Sequence, residues 1–232
     1  MKKLPALKHP QYTTTLPVSK QKVTYRPFTV QEEKNILIAV ESDDTSSIVT
    51  SAWELVNSCS GGKLNKEALA GADFEFLLLQ IRSKSVGEVV EGSLKCDACG
   101  EKGSYDINIP DLQVIGEWRT KDITVQPGYV VTLGMPTVNT ALETLDMEAG
   151  REERALATCI KMVTVDNEVY KHEDLDLADL VGLILDLPSN IYNKMMEFIQ
   201  TGPRLSYDSA YTCKKCGHVQ AVHLEGFDSF FG

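Results

Sequence analysis

The hydrophobic pattern begins with a segment that does not suit a helix. Residues 1–28 contain Pro5, Pro10, Pro17 and Pro27 among frequent Thr, Val and Tyr residues. Proline interrupts helices, and β-branched and aromatic residues favour strands, so we predict an extended N-terminal arm of short strands. This arm can form a strand pair on the chain's own core or dock on another subunit, and the sequence leaves both interpretations open.

Helical spacing follows in residues 29–86, the predicted N-terminal helical part. The segment Thr29–Glu32 reads TVQE, a capping box that starts a helix. The apolar residues at roughly helical spacing behind it are Val30, Ile36, Leu37 and Val40. Two more helices are predicted over Thr45–Ser58 and Asp73–Ser83. The last contains FEFLLLQI, apolar nearly all round, and should be the most buried element of this half. Arg82 lies near the end of this helix, where its positive charge can interact with the negative end of the helix dipole or bind a partner carboxylate.

Alternating apolar and polar residues replace this pattern in residues 87–135, the predicted β-rich part. VGEVVEGSLKC and GSYDINIP predict one hairpin, and KDITV and GYVVTLGMP predict two further strands that are separated by the Pro127-Gly128 turn. Residues 136–203 return to helical spacing and form the predicted C-terminal helical part. Its four predicted helices are TVNTALETLDM (137–147), GREERALATCIKMVTVD (150–166), DLADLVGLILDL (176–187) and SNIYNKMMEFIQTG (189–202).

Residues 204–232 read as two strands followed by the aromatic sequence FDSFF. Phe227, Phe230 and Phe231 of this tail present large apolar side chains, which can pack on the chain's own core or insert into a neighbouring subunit.

Composition narrows the function classes. The formal net charge is -10 and the pI is about 4.9, which argues against non-specific binding to nucleic acid or to an anionic membrane. No apolar run reaches the roughly 18 residues of a membrane helix. The N-terminus lacks the apolar region of a signal peptide, so we expect reduced thiols.

Two matching motifs dominate the candidate chemistry. Cys-Asp-Ala-Cys-Gly lies between predicted strands at Cys96–Gly100, and Cys-Lys-Lys-Cys-Gly lies between predicted strands at Cys213–Gly217. Two Cys-x-x-Cys turns supply the four thiolates that a tetrahedral zinc ion requires. The predicted ligands of a structural zinc site are Cys96, Cys99, Cys213 and Cys216.

Other uses of these thiols remain open at this stage, namely a redox dithiol, two disulfides or an iron–sulfur cluster. His218 and His223 follow the second motif and are either surface histidines or spare ligands. Four thiolates fill the zinc shell and leave no position for a reactive water, which opposes catalysis. The two remaining cysteines, Cys59 and Cys159, are predicted to be small buried residues.

The sequence contains no motif that predicts an active site. It lacks a Gly-rich phosphate loop, Gly-x-Ser-x-Gly and His-Glu-x-x-His. Its acidic clusters, Lys171–Leu180 and the set Glu143, Asp146 and Glu148, read as solvated helix starts and faces. We therefore predict no catalytic residue and no organic cofactor. The predicted fold class is α+β, with a helical core and a small β-rich zinc-ribbon module whose two motifs are separated by a long, mostly helical insertion.

Several segments resemble one protein family. YRPFTVQEEKNILIAVES, DFEFLLLQIRSKSVGE, the first cysteine motif and LPSNIYNKMMEFIQTGPRLSYDSAYTCKKCG are similar to the baseplate proteins of T-even-type contractile-tailed bacteriophages. The most telling parts are Arg26–Lys34 and Leu77–Glu88, and the resemblance spans roughly residues 22–218.

The resemblance implies a non-catalytic structural component of the tail baseplate, in the virion, assembled in the host cytoplasm with hub, tube or wedge proteins. The second hypothesis that the resemblance allows is a hub assembly factor or chaperone that leaves before the particle matures. A third possibility, from the cysteine motifs alone, is a zinc-ribbon regulator that binds nucleic acid, for which Lys214 and Lys215 are the only local basic support.

Overall fold

The computed structural model describes residues 7–42, 44–144 and 150–225. They form two compact units. The first takes its described residues from Met1–Leu64, Glu75–Gln113 and Leu205–Gly232, and the second from Asn65–Phe74 and Val114–Arg204. The second unit is therefore inserted in the sequence of the first. Helices and strands occur in both, as the α+β prediction requires.

The strands and helices follow one another along the described residues as β1 (Tyr12–Thr15), β2 (Lys22–Tyr25), α1 (Val30–Glu41), α2 (Thr45–Cys59), α3 (Gly71–Ser85), β3 (Val89–Lys95), β4 (Lys102–Asn108), β5 (Gln113–Ile115), β6 (Lys121–Gln126), β7 (Tyr129–Leu133), α4 (Val138–Thr144), α5 (Arg151–Cys159), β8 (Ile160–Val165), β9 (Glu168–Lys171), α6 (Leu177–Leu185), α7 (Ser189–Gln200), β10 (Arg204–Thr212) and β11 (Val219–Glu225). Short 3-10 helices cover Ile109–Asp111 and His172–Asp174. Within the described ranges, no helix is both long enough and apolar enough to span a membrane.

The N-terminal strands of the first unit pair with each other. β1 and β2 form an antiparallel hairpin in which Tyr12 lies opposite Tyr25. Leu16 and Tyr25 are almost completely buried. This arrangement agrees with the strand-pair interpretation of the arm, although residues 1–6 lie outside the described ranges.

The capping box at the start of α1 is present as the sequence predicts. Thr29 accepts a hydrogen bond from the Glu32 amide, and the Glu32 carboxylate accepts one from the Thr29 amide. The same carboxylate binds the Arg26 guanidinium, with nitrogen–oxygen distances of 2.8 and 2.7 Å, and accepts a bond from Ser58. The first turn of α1 is thereby tied to the last turn of α2.

Most of the apolar residues of α1 that the sequence places at helical spacing are exposed. Ala39 is the buried residue of this helix, whereas Val30, Leu37 and Val40 are exposed. By contrast, α3 is as buried as FEFLLLQI predicts, and Leu77 and Ile81 are inaccessible to solvent. Periodicity identified the apolar stripe of α1 correctly, but it could not show whether another element covers that stripe.

The second unit is built on an antiparallel sheet with the strand order β6-β7-β8-β9. α5, α6 and α7 pack their apolar residues against it. The buried core of this unit includes Val131, Leu133, Leu156, Ile160, Val163, Leu180, Ile184, Met195 and Phe198.

One predicted helix in this unit is wrong in its second half. The predicted helix over residues 150–166 ends at Cys159, and Ile160–Val165 instead forms β8, which pairs with β7. The β-branched residues of this stretch fit a pleated sheet better than a helix, and pairing on both edges decides the outcome. The insertion between the two cysteine motifs is consequently not mostly helical. The predicted helix over residues 137–147 appears as α4, and its last residues lie outside the described ranges.

Candidate metal centre

The two Cys-x-x-Cys motifs form two hairpin turns of the same construction, both in the first unit. The first joins β3 to β4, where Lys95 lies opposite Lys102, and the second joins β10 to β11, where Thr212 lies opposite Val219. In each turn the glycine after the second cysteine donates its amide to the carbonyl of the first, at 2.8 Å for Gly100 and 2.9 Å for Gly217.

Both glycines adopt the left-handed backbone conformation, with φ of 70° at Gly100 and 73° at Gly217. This conformation costs other residues about 1–2 kcal/mol, which explains why glycine follows each Cys-x-x-Cys. The amide of the first cysteine then bonds to the carbonyl five residues later, at 2.8 Å in both turns. With the backbone folded in this way, the two sulfurs of each turn lie within 4.8 Å of each other.

The four sulfurs converge on one point, as the zinc hypothesis requires. The Sγ atoms of Cys96 and Cys216 are 3.7 Å apart, and those of Cys99 and Cys213 are also 3.7 Å apart. All four lie within 4.8 Å of one another. A zinc ion at about 2.3 Å from four thiolates requires a tetrahedron with edges of about 3.8 Å, which agrees with these distances.

The distances between the sulfurs also distinguish among the alternative uses of the four thiols. Disulfide sulfurs lie about 2.05 Å apart, so these cysteines are not bridged, and all four are free thiols. A cluster of several iron ions needs its thiolates farther apart because the ions lie between them. Four soft ligands at tetrahedral corners fit a single zinc or iron ion.

The turn backbone favours the charged form of one thiol. The amides of Cys216 and Lys215 donate to the Cys213 sulfur and lower the pKa of its thiol to about 6. At Cys99 the Glu101 amide acts in the same direction, but hydrogen bonds with the other three sulfurs and desolvation outweigh it, and the pKa rises to about 12. The surroundings of the two turns therefore favour the thiolate at Cys213 and oppose it at Cys99.

Three further contacts hold the second turn against the first. Gln220 donates its side-chain amide to the Lys95 carbonyl at 3.1 Å and accepts a bond from the Asp97 amide at 2.9 Å. Lys215 forms an ion pair with Glu101 at 2.7 Å. Sequence analysis did not identify Gln220 or Glu101, because their roles depend on pairing between segments far apart in the chain.

Two of the four cysteines belong to a small apolar cluster. It comprises Cys96, Cys213, Val222 and Tyr211, with Leu94, Tyr105 and Leu224 packed against it. The Tyr211 ring lies directly over Gly103, where any side chain would collide with it. Glycine at this strand position therefore permits the two hairpins to approach each other.

The remaining sequence candidates lie outside the centre. His223 bonds to Asp208 at 2.6 Å and to Glu225 at 3.0 Å, and these bonds raise the pKa of its imidazole. Among the described residues, the group that could hold a metal ion contains cysteines and no histidine. Cys59 and Cys159 are buried as predicted, and desolvation raises the pKa of each thiol to about 11.

Comparison with known proteins gives one match that covers nearly the whole chain. The model of a family described as "T4 bacteriophage base plate protein" matches residues 9–232. No curated protein and no solved structure matches.

Proposed function

The chain belongs to the T4 bacteriophage base plate protein family, and on this basis we propose that it is a non-catalytic structural component of a contractile phage tail. In this proposal it contacts hub, tube or wedge proteins, is assembled in the host cytoplasm and remains in the baseplate of the virion. Family membership supports the baseplate role, and the acidic net charge and absence of recognisable catalytic motifs in the sequence are consistent with it.

We propose in addition that Cys96, Cys99, Cys213 and Cys216 bind one structural Zn²⁺ as a zinc ribbon. The observation that carries this proposal is the spacing of the four sulfurs, two pairs at 3.7 Å and all within 4.8 Å. Four thiolates complete the coordination of the ion, so it would stabilise the fold without taking part in a reaction.

The ion would determine whether the parts of the first unit that lie before and after the insertion assemble with each other. Structural zinc contributes about 10–16 kcal/mol in zinc-finger peptides, which is comparable to the roughly 5–15 kcal/mol that stabilises a whole domain. The ligands come from hairpins on either side of the inserted second unit. Zinc would therefore hold together two parts of the first unit that the insertion separates in sequence.

Metal analysis of the purified chain tests the zinc proposal. We expect about one zinc per chain, and we expect the Cys213→Ser/Cys216→Ser variant to lose the metal together with order in β10 and β11. The matched control, Lys214→Ala/His218→Ala, changes the same turn without removing a ligand and should keep the metal. Iron in place of zinc, or a parent protein without metal, would contradict the proposal.

Purification of phage tails tests the baseplate role independently of the metal. A structural component should remain in washed baseplates at a fixed ratio to the other tail proteins. Recovery of the chain only in unassembled fractions would instead identify the assembly factor of the alternative hypothesis.

The nucleic-acid hypothesis has little support from the geometry. Lys215 is engaged by Glu101, and the chain carries a net charge of -10. We therefore expect no shift of double-stranded DNA at physiological ionic strength.

A further inference from the structure

The second cysteine hairpin carries a cluster of charged side chains away from its turn. The Cys-x-x-Cys turn joins β10 and β11 at one end of the hairpin, and Ser206 lies opposite Glu225 at the other. Near that far end, Asp208 lies directly opposite His223. The cluster comprises Asp208, His223 and Glu225. None of the three belongs to the group of described residues that could hold a metal ion.

The imidazole of His223 has a carboxylate at each of its two ring nitrogens. Nδ1 is 2.6 Å from Oδ1 of Asp208, and Nε2 is 3.0 Å from Oε1 of Glu225. An ionised carboxylate accepts hydrogen bonds and cannot donate one, so each contact requires a proton on the ring nitrogen that faces it. A neutral imidazole carries one such proton, and an imidazolium carries two. The arrangement therefore matches the imidazolium.

The surroundings of His223 favour the same protonation state. The hydrogen bond with Asp208, and after it the one with Glu225, raises the pKa of the imidazole above its usual 6.5. The neighbouring pair on this face of the hairpin consists of two alanines, and β5, the other strand that pairs with β10, has no charged residue. Arg204 at the start of β10 is the other charged residue on this face of that strand. Two acidic groups thus serve one base, which stabilises its positive form.

The position of β11 in its sheet makes it sensitive to this cluster. The described strands of the sheet have the order β11-β10-β5, so β11 is an edge strand that pairs with β10 alone. The contact between His223 and Asp208 crosses from β11 to β10 and adds to this pairing. Loss of one proton leaves a ring nitrogen lone pair against a carboxylate oxygen, which is a contact between two acceptors.

We propose that Asp208, His223 and Glu225 form a proton-dependent latch that fastens the end of β11 to β10. In the charged form, one imidazolium bridges a carboxylate on the neighbouring strand and a carboxylate two residues along its own strand. In the neutral form, the latch keeps one of these two hydrogen bonds, and the end of β11 opens more readily. The latch does not involve the cysteines, so it operates independently of any metal at their centre.

The direction of the pH dependence follows from the raised pKa of His223. A histidine that holds its proton more tightly in the folded state than in the unfolded chain stabilises the fold below its unfolded pKa of about 6.5. This contribution is lost as the pH rises through the higher folded-state pKa. We expect the end of β11 to be held more firmly in mildly acidic solution than in alkaline solution.

An NMR titration of the full-length chain tests the protonation state of the latch. Proton–nitrogen correlation spectra of the imidazole report on both ring nitrogens, and we expect a pKa above 6.5 for His223. Asp208→Asn and Glu225→Gln should each lower this pKa. Glu41→Gln removes the same charge from an exposed position at the end of α1 and should leave it unchanged. A parent pKa at or below 6.5, or equal shifts in all three variants, would overturn the proposal.

Amide hydrogen exchange provides a second measurement. The exchange rates of the amides at the end of β11 are divided by their intrinsic rates at each pH to give protection factors. Between about pH 5.5 and about pH 8.5 we expect these factors to fall about threefold in the parent, the scale of an exposed ion pair. The fall should be absent in His223→Gln, which keeps the cysteines and thereby separates their titration from that of the latch. Constant protection in the parent, or an equal fall in His223→Gln, would contradict the latch.

Discussion

A single methyl group at Gly103 should disturb the contact between the two cysteine hairpins. An ideally placed Cβ at this residue would lie 2.6 Å from Cζ and 3.1 Å from Cε2 of Tyr211, and closer still to its hydroxyl. Real Cβ atoms do not approach other atoms this closely, so Gly103→Ala forces the ring to move. Tyr211 is 5% exposed and belongs to the apolar cluster that includes Cys96 and Cys213.

The loss of stability in Gly103→Ala can be estimated for two extreme responses of the Tyr211 ring. Overpacking of a well-filled site costs about 1–3 kcal/mol. If the ring is expelled completely, the loss is the burial energy of a large side chain, about 1.5–3 kcal/mol. The usual gain of up to about 1 kcal/mol from replacing glycine in a strand offsets part of this. We therefore expect Gly103→Ala to lower the free energy of unfolding of the first unit by about 1–2 kcal/mol.

Urea unfolding followed by the fluorescence of Trp53 measures this free energy. Trp53 belongs to the first unit and Trp118 to the second, so a Trp118→Phe background confines the signal to the unit of interest. Ser104→Ala is the matched control, because it changes an exposed residue next to Gly103 in the same strand, β4. Substitutions at exposed positions usually change stability by less than about 0.5 kcal/mol, so this variant should unfold like the parent.

A double-mutant cycle identifies the collision as the cause. Tyr211→Phe removes the closest atom, so Gly103→Ala should cost less in that background than in the parent. An unchanged cost in the Tyr211→Phe background, or a parent stability that Gly103→Ala does not alter, would refute the steric reasoning.

Three other predictions follow from the same structure. The Arg26 guanidinium holds the pKa of Glu32 at about 2, below its usual 4.5, so Glu32→Gln should lower the free energy of unfolding by about 1–3 kcal/mol near pH 7. This difference between variant and parent should shrink as the pH falls from about 4.5 to about 2, because the parent carboxylate then becomes protonated. Urea titrations at several pH values measure it. Gly217→Ala should lower stability by about 1–2 kcal/mol because φ is 73° there, whereas Gly217→Asn should cost less; equal costs in thermal unfolding would argue against a backbone origin. Lys215→Ala removes an ion pair with Glu101 whose side chains are largely exposed, so stability should change by less than about 1 kcal/mol in urea unfolding, and a larger loss would contradict a surface role.

Local sequence signals predicted most of the secondary structure. The Thr29–Glu32 capping box, the strands on either side of each cysteine motif and the Pro127-Gly128 turn all depend on short-range chemistry, and each appears where the sequence placed it. The convergence of four cysteines was also predictable, because a metal-binding motif that occurs twice needs a partner.

Tertiary contacts decided the features that the sequence did not reveal. The sequence predicted a helix through Ile160–Val165, but this stretch is a strand because β7 and β9 pair with it on both edges. The apolar stripe of α1 is real but remains exposed, since periodicity does not identify what covers a face. The approach of Tyr211 to Gly103 depends on two hairpins more than a hundred residues apart in sequence, and no local pattern encodes it.

The arrangement of the units along the chain determines the order in which the two cysteine pairs are synthesised. The first cysteine pair is translated by residue 99, but its counterpart is complete only at residue 216, after the whole inserted unit has been made. At about 5–20 residues per second, roughly 6–23 s pass between the synthesis of the early thiols and the synthesis of the later ones. During this delay the inserted unit can reach its native state, whereas the four-cysteine centre cannot form until the second cysteine pair of the first unit has been synthesised.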